Sequence, residues 1–204
     1  PIIISTGASN IEEIKFAVNR IKKNNGKNIA ILQCTACYPA PLESLNLLTI
    51  PEIKKMFNVI VGLSDHSLDP FTGPLIAIGL GAKIIEKHFT INKKFKGPDH
   101  KFALEPKELK MMIQQIRQAE KTLGTGEKRV LKEEKELREF AVRSIQAIKE
   151  IKKGEKFQES KNIEILRSGN KTRGMDVRYL MKINGKTSNR NIKLGEGIRL
   201  KDCI

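Results

Sequence analysis

Short apolar, β-branched runs alternate with amphipathic stretches through the first 124 residues. Ile2-Ile3-Ile4 runs into Ser5-Thr6-Gly7, the pattern of a buried strand entering a loop. Ile11, Ile14, Val18 and Ile21 then recur at helical spacing until Asn24-Asn25-Gly26 stops them, and Ser9-Asn10-Ile11-Glu12 supplies a capping box. Ile29 to Gln33 predicts a second strand, Cys34 to Leu42 with its two prolines a loop, and Pro51 to Phe57 a short helix. Val59 to Leu63 predicts a third strand, Leu75 to Leu80 a small-residue helix, and Lys83 to Phe89 a fourth strand. Pro106 opens a last helix with Leu109, Met112, Ile113, Ile116, Ala119 and Leu123 along one face, closed by Gly124.

Strand starts near Ile2, Ile29, Val59 and Ile84 are 27, 30 and 25 residues apart. That alternation predicts an α/β fold with a parallel sheet and βαβ crossovers. Four such units are half of a (β/α)8 TIM barrel, whose usual size is about 250 residues. A compact doubly wound domain is the alternative, but no Gly-x-Gly-x-x-Gly turn supports it. Because Pro1 lies inside an apolar run, the chain reads as the C-terminal half of a barrel, residues 1–124. Residues 125–140 read as a charged helical linker. Residues 141–204 read as a small β-rich domain with turns at Gly154, Gly169, Gly185 and Gly195 and a short helix over Asp176 to Lys182. With few apolar residues per element, this domain is expected to need a partner surface.

Composition narrows the classes. Hydrophobic residues make up 39% of the 204, enough for a core, and the longest apolar stretch, Leu75 to Ala82, is far short of a membrane span. Pro1-Ile-Ile-Ile lacks the basic and long apolar regions of a signal peptide. Three cysteines are too few for a disulfide scaffold and point to a reducing, cytoplasmic compartment. Cys34-Thr-Ala-Cys37 has the spacing of a zinc half-site or redox pair, yet nothing completes it, so two small residues at a strand end is the plainer reading. The net charge of +15 is concentrated late, where residues 141–204 hold sixteen basic and seven acidic side chains. Scattered lysines and 5% aromatics argue for a solvated face rather than nucleic-acid binding, and leave small anionic substrates such as phosphates open.

The chemistry gathers between Gly62 and His100, which contains all three histidines. In a barrel, Ser5, Tyr38, Ser64, His66 and His88 fall at or just beyond the C-terminal strand ends, the face where barrel enzymes act. His66 and His88 come from adjacent strands with Asp65 and Glu86 beside them. Two neutral imidazoles there suit a divalent ion such as Mn(II) or Zn(II), or a general base, although a histidine beside a strand is commonly structural. Asp99 follows a Gly-Pro turn and is placed either to swing over the mouth or to stabilise its own turn. Ser5 and Ser64 can donate to phosphate or carboxylate oxygens. Arg167, before Ser168-Gly169-Asn170, could present a guanidinium to an anion or lie on the surface.

These residues carry a resemblance. Ser5-Thr-Gly, Cys34-Thr-x-x-Tyr38-Pro-x-Pro41, Gly62-Leu-Ser-Asp-His66, Gly81-Ala-Lys-Ile-Ile-Glu-Lys-His88-Phe-Thr, Gly97-Pro-Asp-His100 and Leu104-Glu-Pro106 resemble the N-acetylneuraminate (sialic acid) synthase family. Ile151-Lys-Lys-Gly and Asn191-Ile-Lys-Leu-Gly-Glu-Gly-Ile198 resemble that family's antifreeze-like (SAF) domain. The resemblance implies condensation of phosphoenolpyruvate with an open-chain N-acetylated amino sugar to a nonulosonic acid, with release of phosphate. It implies Mn(II), with Mg(II) or Co(II) as substitutes, held by His66 and His88. Ser5 and Ser64 would contact phosphoenolpyruvate, Asp99 would be catalytic, and Tyr38 and Asp99 would meet the sugar or metal-bound water. Phe140 would line the sugar pocket, and Arg167 would reach the other subunit of a domain-swapped homodimer. Two departures stand out: Ala36 occupies a position that is often polar in the family, and the family's first four strands are absent. Half a barrel is therefore expected to have no synthase activity by itself. The sugar stays open among the sialic, legionaminic, pseudaminic and spore-coat branches. A non-catalytic carbohydrate-binding fragment working through its SAF domain is the alternative; neither nucleic acid nor membrane is expected as a partner.

Overall fold

The computed structural model describes residues 1–204, which fall into two units, Pro1–Glu127 and Lys128–Ile204. In the first, β1 (Ile2–Ser5), β2 (Ile29–Cys34), β3 (Ile60–Asp65) and β4 (Ile84–Lys87) form one parallel sheet in the order β1-β2-β3-β4. Spatial order follows chain order without reversal, so the sheet winds one way like half of a (β/α)8 barrel. A doubly wound sheet would reverse at a switch point.

The crossovers are α1 (Ile11–Lys23), α2 (Thr49–Phe57) and α3 (Thr72–Gly79), and α4 (Pro106–Thr122) follows β4. The cap of α1 sits one residue later than its sequence suggests. Asn10 Oδ1 accepts from the Glu12 and Glu13 amides, and Glu13 Oε2 accepts from the Asn10 amide at 2.8 Å. Ser9 instead donates to the Gly7 carbonyl, which removes it from capping. On α4 only Met112 and Ile116 are buried; Ile113 and Leu123 lie about half exposed, because the helix rests on a narrow seam with Ile78 and Leu104.

Alternation along the strands sorts two faces. Ile29, Ile31, Val61 and Leu63, with Ile4 and Ile85, point to the helices and join Val18, Ile50, Ile53 and Phe57 in a dry core. On the other face Ile3 and Ile60 are 57% and 54% exposed, so the surface that is interior in a closed barrel is open here. Gly62 lies on this face because nothing larger fits: an added Cβ would come within 2.4 Å of the Ile84 carbonyl oxygen and 2.5 Å of the Leu32 side chain.

The second unit opens with a 3₁₀ turn at Lys132–Glu134 and α5 (Lys135–Ala141). Antiparallel β5 (Arg143–Ala147) and β6 (Ile163–Arg167) follow, with isolated bridges such as Ile151 to Ile192 and Ser188 to Cys203. The expected short helix becomes a 3₁₀ turn over Val177–Tyr179, capped by Asp176, running into α6 (Leu180–Ile183). Although it has few apolar residues per element, this unit buries a core of its own: Ile145, Ile151, Phe157, Ile163, Ile183, Ile192 and Ile198 converge, none more than 2% exposed. Each element contributes one or two isoleucines, which a count per element understates.

An ion cluster holds the C-terminal turn of this unit. Arg190 Nε donates to Asp202 Oδ1 at 2.7 Å and Nη1 lies 2.8 Å from Glu196 Oε1, while the Asp202 carboxylate is 2% exposed. Burial pushes the Asp202 carboxyl up, but the Arg190 and Arg199 hydrogen bonds outweigh it and hold it below the usual carboxylate value; Arg190 likewise depresses Glu196. A carboxyl depressed in the fold stabilises above its unfolded value, near 4, and that stability is lost as pH falls through the folded value. The second unit is therefore expected to lose stability below about pH 4. Arg190→Ala is expected to cost about 1–3 kcal/mol at neutral pH, because a buried carboxylate loses a partner. Denaturation followed by circular dichroism across pH checks both.

Candidate active site

The register places Ser64 of β3 directly beside Glu86 of β4, and Asp65 beside Lys87. Since side chains alternate, Ser64 and Glu86 share the open face with His66 and His88 just beyond, while Asp65 and Lys87 point toward the helices. The open face carries a chain of polar contacts. Ser64 Oγ donates to Glu86 Oε1 at 2.6 Å and lies 3.4 Å from His66 Nε2. His66 Nδ1 faces His88 Nε2 at 3.1 Å, and His88 Nδ1 is 3.8 Å from Asp99 Oδ2. A small cavity of about 210 Å³ is lined by Ser64, His66, Glu86, Lys87 and His88.

Burial, then the neighbouring His88, hold the His66 imidazole below its ordinary pKa, while Asp65 and Glu86 act in the opposite sense. His66 is therefore a neutral nitrogen donor at pH 7. Aromatic rings complete the setting. Tyr38 lies with its ring centroid 4.3 Å from that of His66, and Phe102 stands edge-on to His88 at 5.0 Å. The Tyr38 loop is tied down by the Ala40 amide donating to the His66 carbonyl at 3.0 Å.

Beneath the site is a lock that the sequence reading did not find. Lys87 Nζ, 3% exposed, donates to Asp65 Oδ2 at 2.7 Å, to the Ser67 and Asp69 carbonyls at 2.8 Å each, and to Ser67 Oγ at 3.2 Å. Asp65 Oδ1 accepts from the Ser67 amide at 2.8 Å. Asp69 then starts α3, accepting from the Phe71 and Thr72 amides, and these bonds, the Thr72 amide first, hold its carboxyl below the usual value. One ammonium thus fixes the turn that follows His66. Gly73 gives way to the same feature: a Cβ there would meet Asp65 Oδ2 at 3.0 Å.

The structure brings together His66, His88, Asp99, Tyr38 and Ser64. Asp65, which the sequence places beside the metal candidates, faces away. His100 does not join the pair either; its Nδ1 lies 2.8 Å from Thr90 Oγ1 and its ring is edge-on to Phe95. Ser5 shares the open face but sits in the Gly62 row, one pleat period below Ser64 and two strands away, about 10 Å laterally. In the second unit, Arg167 is exposed at the end of β6 and Phe140 lines a cavity with Glu139 and Arg199.

Residues 1–128 match the model of the NeuB family. The chain belongs to that family. It is 43% identical over 200 residues to an N,N'-diacetyllegionaminic acid synthase of Campylobacter jejuni, covering 97% of this chain and 58% of the relative. A pseudaminic acid synthase of the same species is 39% identical over 206 residues, covering 99% of this chain and 57% of the relative. The crystal structure of the spore coat polysaccharide biosynthesis protein spsE from Bacillus subtilis aligns with a TM-score of 0.57 at 39% identity, over 100% of this chain and 61% of that one. The chain thus spans less than two thirds of these NeuB relatives. No helix of this NeuB-family chain is long and apolar enough to cross a membrane.

Proposed function

We propose that this chain carries the metal-binding, aldehyde-activating side of a nonulosonic acid synthase, which joins phosphoenolpyruvate to an N-acetylated amino sugar and releases phosphate. The observation that carries the reading is the facing imidazole pair, His66 Nδ1 and His88 Nε2 at 3.1 Å, at the ends of neighbouring strands. Two imidazole nitrogens this close can both reach one divalent ion, and oxygen donors from water or substrate beside them would give the mixed shell that Mn(II) accepts. Their outer nitrogens face Ser64 and Asp99, the kind of second contact that orients a ligating ring. Asp99 and Glu86 lie near the pair, but no three His, Cys, Asp or Glu side chains are arranged together to hold an ion, so this chain would supply the two imidazoles as ligands.

A divalent ion, when bound, polarises the sugar aldehyde toward attack by the phosphoenolpyruvate carbon. Around it, His66 and His88 would supply imidazole nitrogens, which add no negative charge and so would leave the ion's Lewis acidity intact. Tyr38 and Phe102 pack against the pair on one side. Glu86, accepting from Ser64, fixes the hydroxyl that faces the pocket. Asp99, on its exposed loop, is placed to meet a sugar hydroxyl or a bound water. Ser5 and Ser64 contribute hydroxyls to phosphoenolpyruvate. The second unit is a SAF-type domain, with Arg167 and Phe140 contacting the sugar across a swapped homodimer.

The test is phosphate release from phosphoenolpyruvate with N-acetylmannosamine and with the amino sugars taken by a legionaminic and by a pseudaminic acid synthase. It compares this chain alone with a chain completed by the first four βα units of a relative. The completed protein is expected to turn over one of the three sugars, to lose activity with EDTA and to regain it with Mn(II). The 204 residues alone are expected to be inert. Turnover unaffected by EDTA would sink the metal reading, and turnover by the isolated chain would sink the half-site reading.

A further inference from the structure

His100 is the one histidine outside the imidazole pair, and its surroundings are not those of a surface side chain. Its ring is half-buried, with Nδ1 2.8 Å from the hydroxyl of Thr90, a residue only 4% exposed. Either group can supply the proton of that contact. Phe95 stands edge-on to the ring at 5.6 Å, and the Gly97 backbone passes so near that an added Cβ would fall 2.9 Å from His100 Cδ2 and 3.2 Å from Nε2. Gly97 also has φ +145°, so the turn is folded around the imidazole where only glycine fits.

The ends of this loop are fastened and its middle is not. On the entry side the Lys93 amide donates to Glu105 Oε1 at 3.0 Å and Lys93 Nζ to Glu108 Oε1 at 2.7 Å. On the return side Phe102 packs on His88, and the Leu104 amide donates to the His88 carbonyl at 2.8 Å. Between them, Lys96, Gly97 and Pro98 make no hydrogen bond. The Asp99 side chain, 57% exposed, makes none either; its one ionic neighbour is His88 Nδ1 at 3.8 Å, and only its carbonyl is used, accepting from the Phe102 and Ala103 amides. Asp99 therefore does not hold its own turn through its carboxylate. The direction of that carboxylate is set by the next residue, His100, whose ring pins the loop to the strand extension that carries His88.

We propose that His100 is a positioning residue for the amino sugar: pinned to the buried Thr90 hydroxyl, it holds the Asp99 carboxylate at the mouth of the pocket, beside His88, ready for a sugar hydroxyl. This role rests on the synthase reading above, in which Asp99 meets the sugar. A loop already held in its binding geometry has less to order when the substrate arrives. Once the pin is removed, the same contact still forms, but against the freedom of the unfastened middle. Sugar binding suffers and the chemical step does not.

The experiment has two arms. In the 204-residue chain, amide NMR relaxation across residues 95–99 compares the parent with Thr90→Val, Thr90→Ser and His100→Leu. The parent and Thr90→Ser, which keeps the hydroxyl, are expected to show order parameters of about 0.85, and Thr90→Val and His100→Leu values below about 0.6. In the completed enzyme, Thr90→Val and His100→Leu are each expected to raise KM for the amino sugar about fivefold, the worth of one hydrogen bond, with kcat and KM for phosphoenolpyruvate within about twofold. A purely structural loss would lower kcat through the active fraction and leave KM alone. Asp99→Ala should raise the same KM, and His100→Leu should add nothing further in the double variant, because the histidine acts through the carboxylate. Unchanged loop order, a full His100→Leu effect on top of Asp99→Ala, or an Asp99→Ala effect with none from His100→Leu would overturn the positioning role and leave the synthase reading standing. No effect of Asp99→Ala on the sugar would strike that contact from the synthase reading, and the positioning role with it.

Discussion

His66→Ala in the completed enzyme is expected to lower metal-dependent phosphate release by at least about a thousandfold, because the several kcal/mol supplied by a Lewis acid go with it. His66 is the better of the two histidines for this test. It is 8% exposed, its Nδ1 faces His88, and burial keeps it neutral, so its removal takes a ligand without adding a charge. The cavity left by the imidazole is small and polar, and the Tyr38 loop is anchored to the His66 backbone rather than its side chain, so the fold should survive. Excess Mn(II) distinguishes two readings. If weak metal binding is the defect, saturating Mn(II) restores part of the rate; a variant as active as the parent at low Mn(II) would remove His66 from the ligand set.

Lys87→Met is expected to destabilise the first unit by about 3–5 kcal/mol, the usual consequence of taking one member from a buried ion pair. Methionine matches the length of the lysine stem but leaves the Asp65 carboxylate, 0% exposed, with only the Ser67 amide, and abandons two carbonyls as well. Chemical denaturation should show a lower midpoint with an unchanged slope if the native form is otherwise kept. The double variant Lys87→Met/Asp65→Leu supplies the control. Removing both charges should recover much of the loss, whereas two additive losses would mean that the pair is not coupled.

The sheet was legible because its signals are local and repeated. Four β-branched runs at nearly equal spacing each bury one face against an amphipathic helix, and the structure returns them in chain order. The histidine pair was legible for a related reason: matched positions after adjacent parallel strands must lie side by side. Other features depend on where the chain closes in space. Glu86-Lys87-His88 reads as one polar cluster, yet alternation sends Lys87 through the sheet to Asp65 while its neighbours stay on the open face. His100 looks equivalent to the other histidines but is taken by Thr90, a contact made within its own loop. The core of the second unit was hidden because Ile145, Ile163, Ile192 and Ile198 come from segments up to 53 residues apart, none of them periodic.

The sheet separates two kinds of constraint that are adjacent in the chain. Ser64 and His66 face the pocket and Asp65 faces the lock; Glu86 and His88 face the pocket and Lys87 the lock. A substitution on the pocket side alters chemistry while the turn into α3 stays held from behind, and one on the lock side threatens folding whatever the substrate. If the pocket side is the synthase site proposed above, its chemistry is free to drift in single steps, since substitutions at Tyr38 or in the loop bearing Asp99 leave the lock untouched. That is a physical route by which one scaffold can serve a family that includes both a legionaminic acid and a pseudaminic acid synthase.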